Sequence, residues 1–223
     1  MIISDFDGVL FDTERFKADQ MRIFRALGIS QSVQRTAYLG VKARHGGYRH
    51  DLHYAAIKKA IPSFDPQDIQ EKMDALLLRS GRYLYSDAKP FLAYWKRRKQ
   101  KVALVSSGFA FQKKKVAASG LRPFFHPAVV TTSEFKVEPV RAIVKKNPGE
   151  RVVFMDDRKE VVDAIKKHFP SVFVIQVVRR SGQERSIHAD AVVKNLAAAR
   201  ALCEKVLHPM RAGIRPRAWD HPR

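Results

Sequence analysis

Ile2-Ile3-Ser4-Asp5-Phe6-Asp7-Gly8-Val9-Leu10-Phe11-Asp12-Thr13 is the stretch on which the reading of this chain turns. A short apolar run meets two carboxylates two residues apart, and a glycine follows at once. A strand ending at Ser4 and a turn at Gly8 would expose Asp5 and Asp7 at the mouth of a sheet. In an open α/β sheet, ligands bind in the crevice beyond the carboxyl ends of the strands. Acids after a strand are also ordinary turn residues. The segments downstream decide between a site and a turn.

Residues 102–105 form a continuous apolar run, as in a strand buried on both faces. Ser106-Ser107-Gly108 follows, and then a helix from about Phe109. Residues 128–131 read as a third strand, with Phe135-Lys136-Val137-Glu138-Pro139 beyond it. Residues 152–157 form a fourth strand whose tip is Asp156-Asp157. Strand side chains alternate, so these two acids cannot point the same way without a turn. Residues 172–178 are a fifth strand, and 190–193 lead into a last helix over 196–207. Strands alternating with helices in this way imply a parallel sheet covered on both faces.

Residues 14–86 read as helical. Phe16, Met21, Ile23, Phe24 and Leu27 recur near helical spacing until Gly28, with Asp12 or Thr13 as the cap. Leu52, Ala55, Ala56 and Ile57 mark a second helix ending near Pro62. Asp65-Pro66 opens a third, carrying Ile69, Met73, Leu76 and Leu77, with proline in the first turn. Residues 90–99 form a helix ending in Lys96-Arg97-Arg98-Lys99, where cations suit the macrodipole. That run, and Lys113-Lys114-Lys115 further on, read as solvated helix surface.

The first stretch, the Ser106 strand tip, Lys136 and the Asp156-Asp157 tip resemble, in order, the four motifs of the haloacid dehalogenase-like (HAD) superfamily. The first match, Asp-x-Asp-Gly-Val-Leu-Phe-Asp-Thr, is nearly residue for residue. The resemblance implies an α/β, doubly wound parallel-sheet (Rossmann-like) core over 1–13 and 87–207. It implies an inserted α-helical C1 cap over 14–86, which closes over the site and excludes water. It makes Asp5 a nucleophile that passes through an aspartyl-phosphate and Asp7 a general acid–base. Ser106, Ser107 and Lys136 become phosphate ligands, with the backbone N–H groups of Ser107 and Gly108 also facing an anion. Asp5, Asp157, Asp156 and the backbone carbonyl of Asp7 become a hard oxygen site suited to Mg²⁺. Glu160 and Asp163 are candidates for a further acid. Dehalogenating members lack the second Asp, because halide needs no proton, so Asp7 favours phosphoryl transfer. The chain departs from the pattern at Pro139, three residues after Lys136 where many relatives have it next to the lysine. As an ordinary surface residue, Lys136 would be one lysine among many.

The expectation is therefore a Mg²⁺-dependent phosphatase acting on a small phosphorylated metabolite. A sugar phosphomutase is the alternative within the superfamily. Phosphonate cleavage would need a cap lysine, for which Lys42 is available. The cap also carries Arg35, Arg44, His45, Arg49, His50 and His53 around Gly46-Gly47. These read either as surface cations or as a basic turn meeting a second negative charge on the substrate.

Composition sets the remaining bounds. At 223 residues, one domain or one domain with an insert is expected, and 45% apolar residues suffice for a core. A single cysteine, Cys203, permits no internal disulfide, which suits a reducing compartment. No signal-peptide pattern and no membrane-length apolar run is present, so a cytoplasmic protein without membrane contact is expected. The charge is unusual: 42 Lys+Arg against 22 Asp+Glu, a net +20. Such a balance attracts polyanions, so a nucleic-acid-associated protein is the alternative of a different class, though no nucleic-acid motif accompanies it. A steep fall of affinity with salt would mark it. Residues 208–223, rich in proline and arginine without apolar periodicity, read as a disordered basic tail. The oligomeric state is left open.

Overall fold

The structure, a computed structural model, describes residues 1–46 and 48–208. Its centre is a six-stranded parallel sheet of order β3-β2-β1-β4-β5-β6. The strands are β1 (Ile2–Ser4), β2 (Val102–Ser107), β3 (Ala128–Thr131), β4 (Val153–Asp156), β5 (Phe173–Val177) and β6 (Ala191–Val193). β1 lies between β2 and β4, with Ile2 opposite both Val102 and Val153. The chain winds outward through β2 and β3, then returns past β1 to lay down β4, β5 and β6. The switch in direction therefore falls between β1 and β4, where a crevice opens at the carboxyl ends.

Alternation along the strands divides the apolar residues between two cores. Ile2, Val102, Leu104, Val153 and Met155 face one cluster. Ile3, Ala103, Val105, Phe154 and Val174 face the other. The first is covered by α1 (Thr13–Ala26), α3 (His50–Ala60), α4 (Pro66–Leu78), α5 (Ala88–Arg97), α6 (Ala110–Ala118) and α9 (Leu196–Leu207). The second is covered by α7 (Val137–Lys145) and α8 (Lys159–His168). Both faces of the sheet are apolar, which is why its strands read as unbroken apolar runs.

The helix starts follow local chemistry. Asp12 caps α1 by accepting from Arg15 N at 3.0 Å. Asp65 caps α4 through Gln67 N at 2.9 Å, with Pro66 in the first turn. Asn195 caps α9 through Ala198 N at 2.8 Å. Apolar spacing does not single out α2 (Gln31–His45). That helix buries only Val41, so its sequence carries almost no apolar stripe. Ser30 starts it and Gly46, at φ 65°, ends it in the left-handed conformation. Lys96, Arg97, Arg98 and Lys99 are exposed, as expected. Lys115 is not: it is 5% exposed and turned inward. The basic tail lies outside the described residues from 209 onward. Among the described residues, no helix is long and apolar enough to cross a membrane.

Candidate active site

The turn after β1 is built by its own backbone. Phe6 O accepts from Leu10 N and Phe11 N at 2.9 and 3.0 Å, and Gly8 N donates to Phe11 O at 2.9 Å. Gly8 sits at φ +71°, and a Cβ there would collide with the Asp157 carboxylate. Only glycine lets the first acidic loop lie against the fourth strand's tip. Asp5 and Asp7 consequently emerge into one cleft of about 390 Å³, together with Ser106, Ser107, Lys136 and Asp157.

Lys136 is the hub of this cleft. It is 1% exposed, and its Nζ lies 2.7 Å from Asp5 Oδ1 and 2.6 Å from Asp156 Oδ2. Its backbone takes the left-handed conformation, φ 60°, immediately before α7. The Asp156 and Asp5 charges oppose burial and hold the ammonium's pKa above its usual value. The reading of Lys136 as ordinary surface is thereby excluded.

The acids divide into two groups. Asp5, Asp156 and Asp157 place carboxylate oxygens within 4.8 Å of one another. Burial, with Asp156 and Asp7 adding to it against Lys136, pushes Asp5 up to about 7. Burial, then the Asp156 and Asp5 charges, pushes Asp157 up to about 8. Buried like charges of this kind are relieved by a cation, and three hard carboxylates suit a divalent one. Asp156 is fully buried, with one oxygen on Lys136 and the other accepting from Arg158 N at 2.9 Å. Asp157 borders the open cleft. Glu160 is exposed on α8, and Asp163 accepts a hydrogen bond from Ser186 Oγ. Neither belongs to the carboxylate group.

Asp7 has a different environment. Its Oδ1 accepts from Thr13 Oγ1 at 2.7 Å and Lys115 Nζ at 2.6 Å, and its Oδ2 accepts from Gln112 Nε2 at 2.7 Å. Burial alone would raise its pKa; Lys115, with the Thr13 and Gln112 hydrogen bonds, outweighs burial and leaves it below 3.8. Thr13, read as a possible cap, holds Asp7 instead, while Asp12 does the capping. Lys115 Nζ also lies 5.0 Å from the centroid of the Phe11 ring and 5.6 Å from that of Phe6.

Gln112 and Lys115, the side chains that hold Asp7, are site residues that the sequence reading missed. A signal existed in the phase of α6. Phe111 and Val116 mark its inward face, and Gln112 and Lys115 share that face at spacings of four, whereas Lys113 and Lys114 are exposed.

Ser106 is 1% exposed, and its Oγ accepts from Gln112 Nε2 at 2.8 Å. The Ser107 hydroxyl donates to the carbonyls of Ser133 and Glu134 at 3.0 and 3.4 Å, so it is turned toward the β3–α7 loop. The Gly108 N–H, expected to face an anion, donates to Thr131 O at 2.8 Å. The expected basic turn is dispersed. Arg44 borders a separate surface pocket, and Lys42 borders another beside Phe109 and Phe111. Arg49 pairs with Asp51 at 2.8 Å. His53 is buried between Tyr48 and the Gln34 carbonyl. The cations bordering the cleft are Lys17, Lys136, Arg158, Arg179 and Arg180.

A family model described as a haloacid dehalogenase-like hydrolase matches residues 1–168. No curated protein matches the chain. Among solved structures, one named as a haloacid dehalogenase-like hydrolase from Burkholderia xenovorans LB400 superposes with a TM-score of 0.73 at 16% identity, covering 92% of this chain and 97% of its own. One named as a β-phosphoglucomutase from Thermotoga maritima gives 0.66 at 18% identity, covering 92% and 99%. The L-2-haloacid dehalogenase of Xanthobacter autotrophicus gives 0.63 at 18% identity, covering 91% and 97%. At these identities the likeness is one of fold.

Proposed function

The chain belongs to the haloacid dehalogenase-like hydrolases, and we propose that within that family it is a Mg²⁺-dependent phosphatase working through an aspartyl-phosphate. The observation that carries this reading is Asp7. A second carboxylate in the same cleft as Asp5 is what proton transfer at a leaving oxygen requires and what halide departure does not, and Thr13, Gln112 and Lys115 hold it in place there.

In this reading one Asp5 oxygen attacks phosphorus, and the bond from phosphorus to the ester oxygen breaks. Asp7 stands at the leaving oxygen and, in its protonated form, gives that oxygen its proton, becoming the carboxylate that Thr13, Gln112 and Lys115 favour. It then takes one from the water that attacks the aspartyl-phosphate, so phosphate leaves and Asp5 is restored. Lys136 stays against the nucleophile and offsets charge on the transferring group, and Ser106 lies across the cleft as a hydroxyl ligand. Asp5, Asp157 and Asp156, with the Asp7 carbonyl, would hold Mg²⁺, which supplies charge screening for the incoming phosphate. The four helices α1–α4, together acting as a cap over 14–86, would close over the cleft during turnover.

Phosphate release from acetyl phosphate with Mg²⁺ tests the proposal. Wild type should turn over, and Asp5→Asn, isosteric but a poor nucleophile, should fall by at least about a thousandfold with its fold intact. Substantial turnover by purified Asp5→Asn would overturn the mechanism.

A further inference from the structure

A second cavity, of about 810 Å³, adjoins the catalytic cleft. Asp7, Thr13, Glu14, Lys17 and Tyr38 border both spaces, whereas Asp5, Lys136 and Asp157 border only the first. The two spaces therefore meet at Asp7. Both carry charged side chains, Arg35 and Lys115 among those of the second cavity. The second cavity alone adds an apolar wall of Phe16, Met21, Tyr48 and Phe111, continued by Tyr38. The Tyr38 and Tyr48 rings are 5.4 Å apart, and Phe111 meets Tyr48 edge-on at 5.8 Å.

We infer that this second cavity receives the organic group esterified to the phosphate, and that this group carries an aromatic ring. The inference rests on the phosphatase reading and extends it to a substrate class. A proton passes from Asp7 to the leaving oxygen only within hydrogen-bond reach, directly or through one water. With phosphorus at Asp5, the leaving oxygen lies at Asp7, and the remainder of the molecule extends into the space that opens there. That space is within the usual range for a ligand pocket, about 300–1,000 Å³. Its aromatic wall presents faces and edges that pair best with another ring. A two- or three-carbon phosphate ester would leave most of that wall uncovered.

The test compares two primary alkyl esters with matched leaving oxygens, 2-phenylethyl phosphate and ethyl phosphate, and uses acetyl phosphate as a small control. All three are assayed with Mg²⁺. The phenylethyl ester should exceed the ethyl ester by about tenfold or more in kcat/KM, the scale of apolar discrimination in a pocket. Met21→Trp, which fills the cavity, and Tyr48→Ala, which strips its wall away from the catalytic cleft, should each cut that ratio to roughly threefold or less. Both variants should lose far less on acetyl phosphate, which also reports that they are folded. Equal kcat/KM for the two esters, with acetyl phosphate turned over, would overturn the substrate class and leave the phosphatase reading standing. So would a proportional loss on all three substrates in both variants. No turnover of acetyl phosphate by wild type would overturn the phosphatase reading itself.

Discussion

Lys115→Met removes an ammonium and keeps an unbranched apolar stem of similar length against Phe11 and Phe16. In wild type the Nζ is 2.6 Å from Asp7 Oδ1, on a side chain 6% exposed. Removing one partner of a buried ion pair costs about 3–5 kcal/mol, because the other charge is left uncompensated. Asp7 retains the Thr13 and Gln112 donors and its side chain is 28% exposed toward the cleft, so no more than the lower end, about 3 kcal/mol, is expected. In a chain of this size each kcal/mol shifts Tm by about 2–4 °C, which gives a loss of about 6–12 °C. The pH dependence has a definite sign. Asp7 is depressed below 3.8, so the pair's contribution is full above that unfolded value and is lost as pH falls through the lower folded one. The deficit of Lys115→Met should therefore be constant from pH 5 to 8, as followed by thermal and urea unfolding. A double-mutant cycle isolates the contact: Lys115→Met with Asp7→Asn should be less destabilised than the summed singles by about 2 kcal/mol. A deficit under about 1 kcal/mol with additivity in the cycle would refute the buried pair and return Lys115 to the solvated surface.

Gly8→Ala should cost about 1–3 kcal/mol in denaturation, since it combines a left-handed backbone with a collision at Asp157; an unchanged midpoint would refute that close approach. Asp5 and Asp157 are raised to about 7 and about 8, so the metal-free fold holds protons that the unfolded chain gives up near 3.8. Its stability should fall as pH rises from about 4 to 8, and Mg²⁺ should raise Tm more at pH 8 than at pH 6. Scanning calorimetry with EDTA or Mg²⁺ at both pH values checks this, and an equal Mg²⁺ gain at both would refute it. Asp157→Asn should raise the Mg²⁺ concentration needed for half-maximal activity. If Asp156→Asn does so and Asp157→Asn does not, the metal is assigned to the wrong neighbour.

The fold was legible because its signals are local. A strand buried on both faces needs an unbroken apolar run, and residues 102–105, 152–155 and 172–175 supply it. Asp12, and Asp65 with Pro66, mark helix starts through side chains that reach only two or three residues. The acids at Asp5, Asp7, Asp156 and Asp157 were legible for the same reason: each follows directly from a strand whose position the apolar run reveals. α2 was not, since a helix burying only Val41 needs no stripe.

The clamp on Asp7 was illegible because its parts are far apart in the chain. Gln112 and Lys115 lie 105 and 108 residues from Asp7, and one lysine in a run of three differs from its neighbours only in helical phase. Gly108 shows how the fold joins them. It sits at φ +151°, and a Cβ there would press into the Gln112 side chain. The glycine that resembled part of an anion-binding loop thus serves packing: it lets α6 approach the tip of β2 closely. That approach is what brings Gln112 Nε2 onto both Ser106 Oγ and Asp7 Oδ2. A bulkier residue at position 108 would push α6 outward and loosen Gln112 and Lys115 together, so the geometry at Asp7 depends on position 108 through α6.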